Sequence, residues 1–257
     1  SGCQSPCRLE TQQQIDNISA TYLPIDREAR LNGSWDVGID PKQLIFDNFD
    51  PSMISGAPVP AGGDYKFAIG IDHGSQPNSQ VAILSAVDMT NYQEPKVYVL
   101  GEYTGGASSP EHHVRGILEM LKRHHVDPSM CTWTGDGAHY GGRGKTGFKM
   151  SNGMLMRAFE RVLSLPPRGL SFTIRTALKF KSSVYYGSSV LYSIMSKNHF
   201  YIRPECTQLI QSLQRYTFKR TSSQKSTDPH GHAVDALRYG VLPVVHKRFT
   251  PPARIRM

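Results

Sequence analysis

Apolar and polar positions alternate from Lys66 to Gly74 (KFAIGIDHG), with Phe67, Ile69 and Ile71 separated by small residues and the run ending abruptly at Asp72. That pattern predicts a buried strand with one carboxylate at its tip. A second apolar run, Val81–Val87, follows the turn-forming segment SQPNSQ, and Lys96–Tyr103 alternates again. The first three strands therefore read as hairpin neighbours. Helical spacing of Val114, Ile117, Leu118 and Leu121 predicts a helix over Glu111–His125, opened by Ser109-Pro110. Met130–Thr134 reads as a fourth strand, running directly into Gly135-Asp136-Gly137.

The second half continues the alternation. Helices are expected at Gly153–Leu163, Lys179–Lys197, Pro204–Arg215 and His230–Val245, with short strands at Leu170–Thr176, His199–Arg203 and Tyr216–Lys219. In the last helix Ala233, Leu237, Val241 and Val244 form one apolar stripe. Residues 1–60 are polar and irregular, with a short helix expected at Thr11–Ala20, and Ala57–Gly63 (APVPAGG) reads as a linker. The first quarter looks like the end of something larger. Units are expected at 1–63 (lead-in and linker), 64–246 (the folded domain) and 247–257 (a basic tail).

Three antiparallel strands followed by βα units specify an α/β fold, a mixed sheet with helices on both faces. Right-handed crossovers return the Cys131 strand beside the Lys66 strand, running parallel to it. Asp72 and Asp136 then share the C-terminal edge, where ligands bind in open α/β sheets. Asp235 lies on the closing helix next to its apolar stripe, an unfavourable place for aspartate unless it has work to do.

Charge sharpens this picture. The chain of 257 residues carries a net +8, but residues 1–60 hold 4 Lys and Arg against 8 Asp and Glu. From residue 140 onward 20 basic residues stand against four acidic ones, Glu160, Glu205, Asp228 and Asp235. Such a bias points to a polyanionic partner, most simply nucleic acid. Three converging carboxylates repel one another unless a cation neutralises them, and hard oxygen donors suit Mg²⁺ or Mn²⁺. In a basic surface, a two-metal site of that kind can hydrolyse a phosphodiester.

Other classes are disfavoured. There is no Ser–His–Asp or Cys–His motif, no G-x-x-x-x-G-K-[ST] phosphate loop, and no apolar run long enough for a membrane span. Cys3 and Cys7 lack a second pair at zinc-ligand spacing; with Cys131 and Cys206 they suggest a reduced, cytosolic protein.

Three pieces of the sequence carry a resemblance: IGIDHG ending at Asp72, TWTGDG around Asp136, and HGHAVDALRYG (His230–Gly240) with Asp235. Over Tyr65–His246 the chain resembles the nuclease domain of the large terminase subunit of tailed double-stranded DNA bacteriophages, of the ribonuclease H-like superfamily. Ala29–Trp35 (ARLNGSW) is similar to the join between that family's packaging ATPase and its nuclease. The resemblance implies a metal-dependent endonuclease that cuts concatemeric phage DNA with little sequence preference during genome packaging. Asp72, Asp136 and Asp235 would be its metal-binding triad, holding two Mg²⁺ or Mn²⁺ ions. It further implies a small terminase subunit, a portal protein and the chain's own ATPase domain as partners, in the host cytoplasm.

Around that triad, Asp228 would bind a metal directly or through water, or else cap the last helix. His232 shares a helix face with Asp235 and would orient the attacking water or the phosphate, or serve packing or capping. Glu102, one strand over, is a backup to Asp136. His73 and His139 flank the strand-tip acids and are expected to be exposed. Arg143 and Lys145 in a Gly-rich loop, with Lys179 and Lys181 at a helix start, are the expected DNA-backbone contacts. A Holliday-junction resolvase or transposase-like nuclease of the same fold competes with this reading, as does a catalytically silent DNA-binding module.

Overall fold

In a computed structural model of the protein, the described residues are 22, 44–74, 80–106, 108–137, 150–177, 183–217 and 231–246. Among them, six strands form one mixed sheet: β1 (Tyr65–Asp72), β2 (Gln80–Asp88), β3 (Lys96–Gly105), β4 (Cys131–Gly135), β5 (Ile174–Thr176) and β6 (Phe200–Ile202). Their spatial order is β5-β4-β1-β2-β3-β6. The pairs β1–β2 and β2–β3 are antiparallel, whereas β1–β4, β4–β5 and β3–β6 are parallel. The expected three antiparallel strands are present, and the Cys131 strand lies parallel beside β1.

Five helices are described: α1 (Pro110–Arg123), α2 (Asn152–Val162), α3 (Ser183–Ser196), α4 (Thr207–Arg215) and α5 (Gly231–Val245). The sequence signal at the start of α1 works as expected, and α2 opens on a cap of the same kind. Ser109 Oγ accepts from the His112 amide ahead of Pro110, and Ser151 Oγ accepts from the Met154 amide. Helices cover both faces of the sheet. On one face, Val114, Ile117 and Leu121 of α1 and Leu155 and Phe159 of α2 pack on Ile69, Ile71 and Trp133. Trp133 stacks on Phe172 at 4.5 Å between ring centroids, and Phe159 meets both rings edge-on.

On the other face, Leu191, Leu209 and Leu237, from α3, α4 and α5, pack with Ala68, Ile83 and Val99. The expected stripe of α5 is buried, and so are Val234, Ala236, Arg238, Tyr239 and Gly240, so the helix is enclosed nearly all round.

One strand begins later than expected. The strand expected from Leu170 begins only at Ile174; of the one expected over Tyr216–Lys219, the described residues 216 and 217 contribute a bridge between Leu44 and Thr217. That bridge belongs to a strap, residues 44–56. Its Ile45 and Phe46 are each 1% exposed, and Ile54 bridges Ile202 along the edge of β6. Asp47 accepts from the Tyr192 hydroxyl, and Asn48 donates to the Tyr192 carbonyl. The packed unit thus includes a stretch that reads as part of the lead-in. No described helix is long and apolar enough to cross a membrane.

Candidate acidic active site

Asp72 is the last residue of β1 and only 5% exposed. Asp136 follows β4 directly, and its amide donates to the Ile71 carbonyl at 2.9 Å, carrying the parallel ladder one step beyond the strand. The two acids therefore sit side by side at the sheet's C-terminal edge. Asp235 arrives from α5, which crosses β1 at Gly70. A Cβ on Gly70 would lie 1.8 Å from the Ala236 carbonyl oxygen, so only glycine lets the helix come this close.

The electrostatics of Asp72 record this convergence. Burial pushes its carboxyl up, the hydrogen bond from His232 pulls it down, and the negative charges of Asp235 and Asp136 push it up again. The net result is a pKa of about 6, against an ordinary value of 3.8. His232 Nδ1 lies 2.6 Å from Asp72 Oδ2. The histidine that shares a helix turn with Asp235 is thus bonded to Asp72. Asp235 Oδ1 accepts from Arg238 Nη2 at 2.7 Å.

Among the described residues, no three His, Cys, Asp or Glu side chains are gathered tightly enough to form a ready-made metal cage. The donor chemistry nevertheless fits a hard divalent cation: carboxylate oxygens from two strand tips and one helix, on a site where Asp72 feels the negative charge of both Asp235 and Asp136. Asp72, Asp136 and Asp235 are the residues that would hold it.

Glu102 takes no part in this cluster. It lies on β3, two strands from β1, and its carboxylate accepts the amides of Gln208 (2.8 Å) and Leu209 (2.9 Å) at the start of α4. It caps the first amides of that helix, which begins at Thr207 rather than at Pro204 as expected. His73 is half-buried, not exposed: its Nε2 lies 2.7 Å from Asn152 Oδ1. The Asn152 amide nitrogen donates to the carbonyls of Gly135 and Arg175, so its oxygen is the acceptor and His73 Nε2 carries a proton. Asn152 thereby joins the tips of β1, β4 and β5, a role with no local sequence signal. Asp228, His139, Arg143, Lys145, Lys179 and Lys181 lie outside the described residues.

Neither the protein-family models nor the curated protein sequences searched contain a match to this chain. Solved structures do match. A full large terminase from a thermophilic bacteriophage superposes with a TM-score of 0.59 at 14% identity, over 93% of this chain and 52% of that one. The P22 large terminase nuclease domain gives 0.50 at 16% identity, over 80% and 93% of the two chains. The large terminase nuclease domain from bacteriophage SPP1, solved with bound Mn, gives 0.50 at 16%, over 76% and 95%. The chain spans about half the length of the full large terminase and nearly the whole of the two isolated nuclease domains. At such identities the likeness is one of architecture, and the chain has the α/β fold of the large terminase nuclease domain.

Proposed function

We propose that the chain is the nuclease part of a large terminase, a metal-dependent endonuclease that cuts double-stranded concatemeric phage DNA with little sequence preference during genome packaging. The observation that carries this reading is Asp72, a buried carboxylate at the tip of β1 that feels both Asp136 and Asp235 within the fold of known terminase nucleases. The Mn bound in the SPP1 nuclease structure and the basic composition from residue 140 onward support it.

In this reading Asp72, Asp136 and Asp235 hold two Mg²⁺ or Mn²⁺ ions at the sheet edge. When bound, such ions supply Lewis acidity for the attacking water and charge neutralisation for the leaving oxygen. The chain's own residues do the rest. β1 and β4 fix two carboxylates on a rigid edge, α5 brings the third, and His232 orients Asp72 through its hydrogen bond. Arg143, Lys145, Lys179 and Lys181 are the proposed contacts to DNA phosphates, and Asp228 a further weak ligand. The folded nuclease unit would run to residue 246, preceded by the link to an ATPase half. A small terminase subunit and a portal protein would complete the packaging assembly in the host cytoplasm.

The test is cleavage of supercoiled plasmid with Mn²⁺, Mg²⁺, Ca²⁺ or excess chelator. Mn²⁺ or Mg²⁺ should support nicking and linearisation, and Asp235→Ala should remove them. Cleavage that persists in chelator would sink the metal mechanism.

A further inference from the structure

Arg238 is 2% exposed, on a helix whose neighbours at that depth are apolar. It projects from α5 into the contact with α3, where Gly187 makes room: a Cβ on Gly187 would lie 2.1 Å from Arg238 Cδ. Its guanidinium makes two hydrogen bonds, Nη2 to Asp235 Oδ1 at 2.7 Å and Nη1 to the Ser183 carbonyl at 3.3 Å. Nε is buried without a partner among the described residues. A buried, incompletely bonded cation is a poor way to pack two helices, since an aliphatic side chain of similar size would avoid its desolvation. The pair is also within one helix, three residues apart, so it ties no distant elements together.

What the pair does is hold the Asp235 carboxylate. Asp72 and Asp136 stand at the sheet edge that Asp235 faces, and both are acids. Asp235 keeps 27% of its side-chain surface exposed, enough for an unrestrained carboxylate to rotate away into water. Arg238 opposes that rotation and leaves only Oδ2 free of hydrogen bonds among the described residues.

We propose that Arg238 is a positioning residue for the acidic site: by clamping Asp235 through Oδ1 it makes that carboxylate a one-oxygen donor, aimed with Asp72 and Asp136 at a divalent cation. The proposal rests on the cation-site reading above and adds a residue that touches neither cation nor DNA.

The experiment is Mn²⁺ binding by calorimetry on the 257-residue chain, with thermal melting of the same samples. The variants are Arg238→Gln, Arg238→Lys and, as a control, Tyr186→Phe. Tyr186 of α3 also reaches the end of α5, its hydroxyl lying 3.1 Å from Nε2 of His246. Arg238→Gln should weaken Mn²⁺ binding by about 10- to 100-fold, the usual penalty for losing an outer-sphere partner of a metal ligand. Arg238→Lys, with one donor for Asp235, should recover part of it. Tyr186→Phe should lower the melting temperature and leave Mn²⁺ affinity unchanged.

A folded Arg238→Gln chain that binds Mn²⁺ as tightly as wild type would overturn the proposal. Should Arg238→Gln fail to fold, Arg238→Lys decides, and wild-type affinity in that variant is the contrary result. A wild-type chain that binds no Mn²⁺ would overturn the cation site itself, and with it this role for Arg238.

Discussion

Gly70 of β1 and Gly240 of α5 meet backbone to backbone. A Cβ on Gly70 would stand 2.4 Å from the Gly240 nitrogen, and one on Gly240 would stand 2.8 Å from the Gly70 nitrogen. This contact sets the height of α5 above the sheet and, with it, the position of Asp235 relative to Asp72. Gly70→Ala should destabilise the protein by about 3 kcal/mol, the upper end of ordinary overpacking. That corresponds to a fall of about 6–12 °C in melting temperature for a domain of this size. Gly240→Ala, with the longer approach, should be milder. Melting curves that reverse this order would show that α5 can shift without loss.

The elevated Asp72 carboxyl gives stability a pH dependence of known sign. In the unfolded chain this group ionises near the ordinary 3.8, and in the folded chain near about 6. The folded state holds the proton more tightly, so the contribution is fully present below the lower value and is lost as pH climbs through the upper one. Without metal, that loss is about 3 kcal/mol between acid and neutral pH. Asp72→Asn should therefore melt higher than wild type at neutral pH, with the gap closing in acid. Parallel pH profiles for the two proteins would contradict the buried-carboxylate account. Added Mn²⁺ should raise the wild-type melting temperature more at neutral pH than in acid, because protons compete for the same oxygens.

Cleavage and DNA binding should separate cleanly. Asp72→Ala, Asp136→Ala and Asp235→Ala should each cut plasmid at least about 100-fold more slowly, since each removes a proposed ligand. Binding to the same DNA should survive, because the proposed phosphate contacts come from lysines and arginines. Its logarithm should fall with the logarithm of salt, at about 0.9 per phosphate neutralised on duplex DNA. A triple variant that still cuts would end the carboxylate mechanism, and flat binding across salt would end the basic-surface argument.

Glu102 offers a test from the opposite side. Because its carboxylate accepts the first amides of α4, Glu102→Gln should lower stability by about 1 kcal/mol through a weakened cap and leave cleavage intact. Loss of cleavage in a protein of normal stability would return Glu102 to the site.

The strands and helices that the sequence announces are those with one clean face. β1 to β3, α1 and α5 are readable because their apolar residues recur at period two or near 3.6. The adjacency of Asp72 and Asp136 follows as well, because crossover handedness leaves one place for β4. What stays hidden depends on partners far along the chain. The strap from Leu44 carries no periodicity, yet Ile45 and Phe46 fill a core whose helices all lie beyond position 180. Glu102 reads as a spare catalytic acid until α4 is seen to start against it. The motif around Asp235 already contains Arg238 and His232. Only the packed structure reveals that one is bonded to Asp235 and the other to Asp72.

The enclosure of α5 has a consequence for how the protein is made. This helix supplies the third acid and also fills one face of β1, so neither the site nor that half of the core exists until residues 231–245 have left the ribosome. A nascent chain already carries Asp72 and Asp136 but leaves Gly70 and its neighbours uncovered. Synthesis in this order would keep the proposed nuclease inert while it is incomplete, because the last of its described helices to emerge is also the one that would arm it.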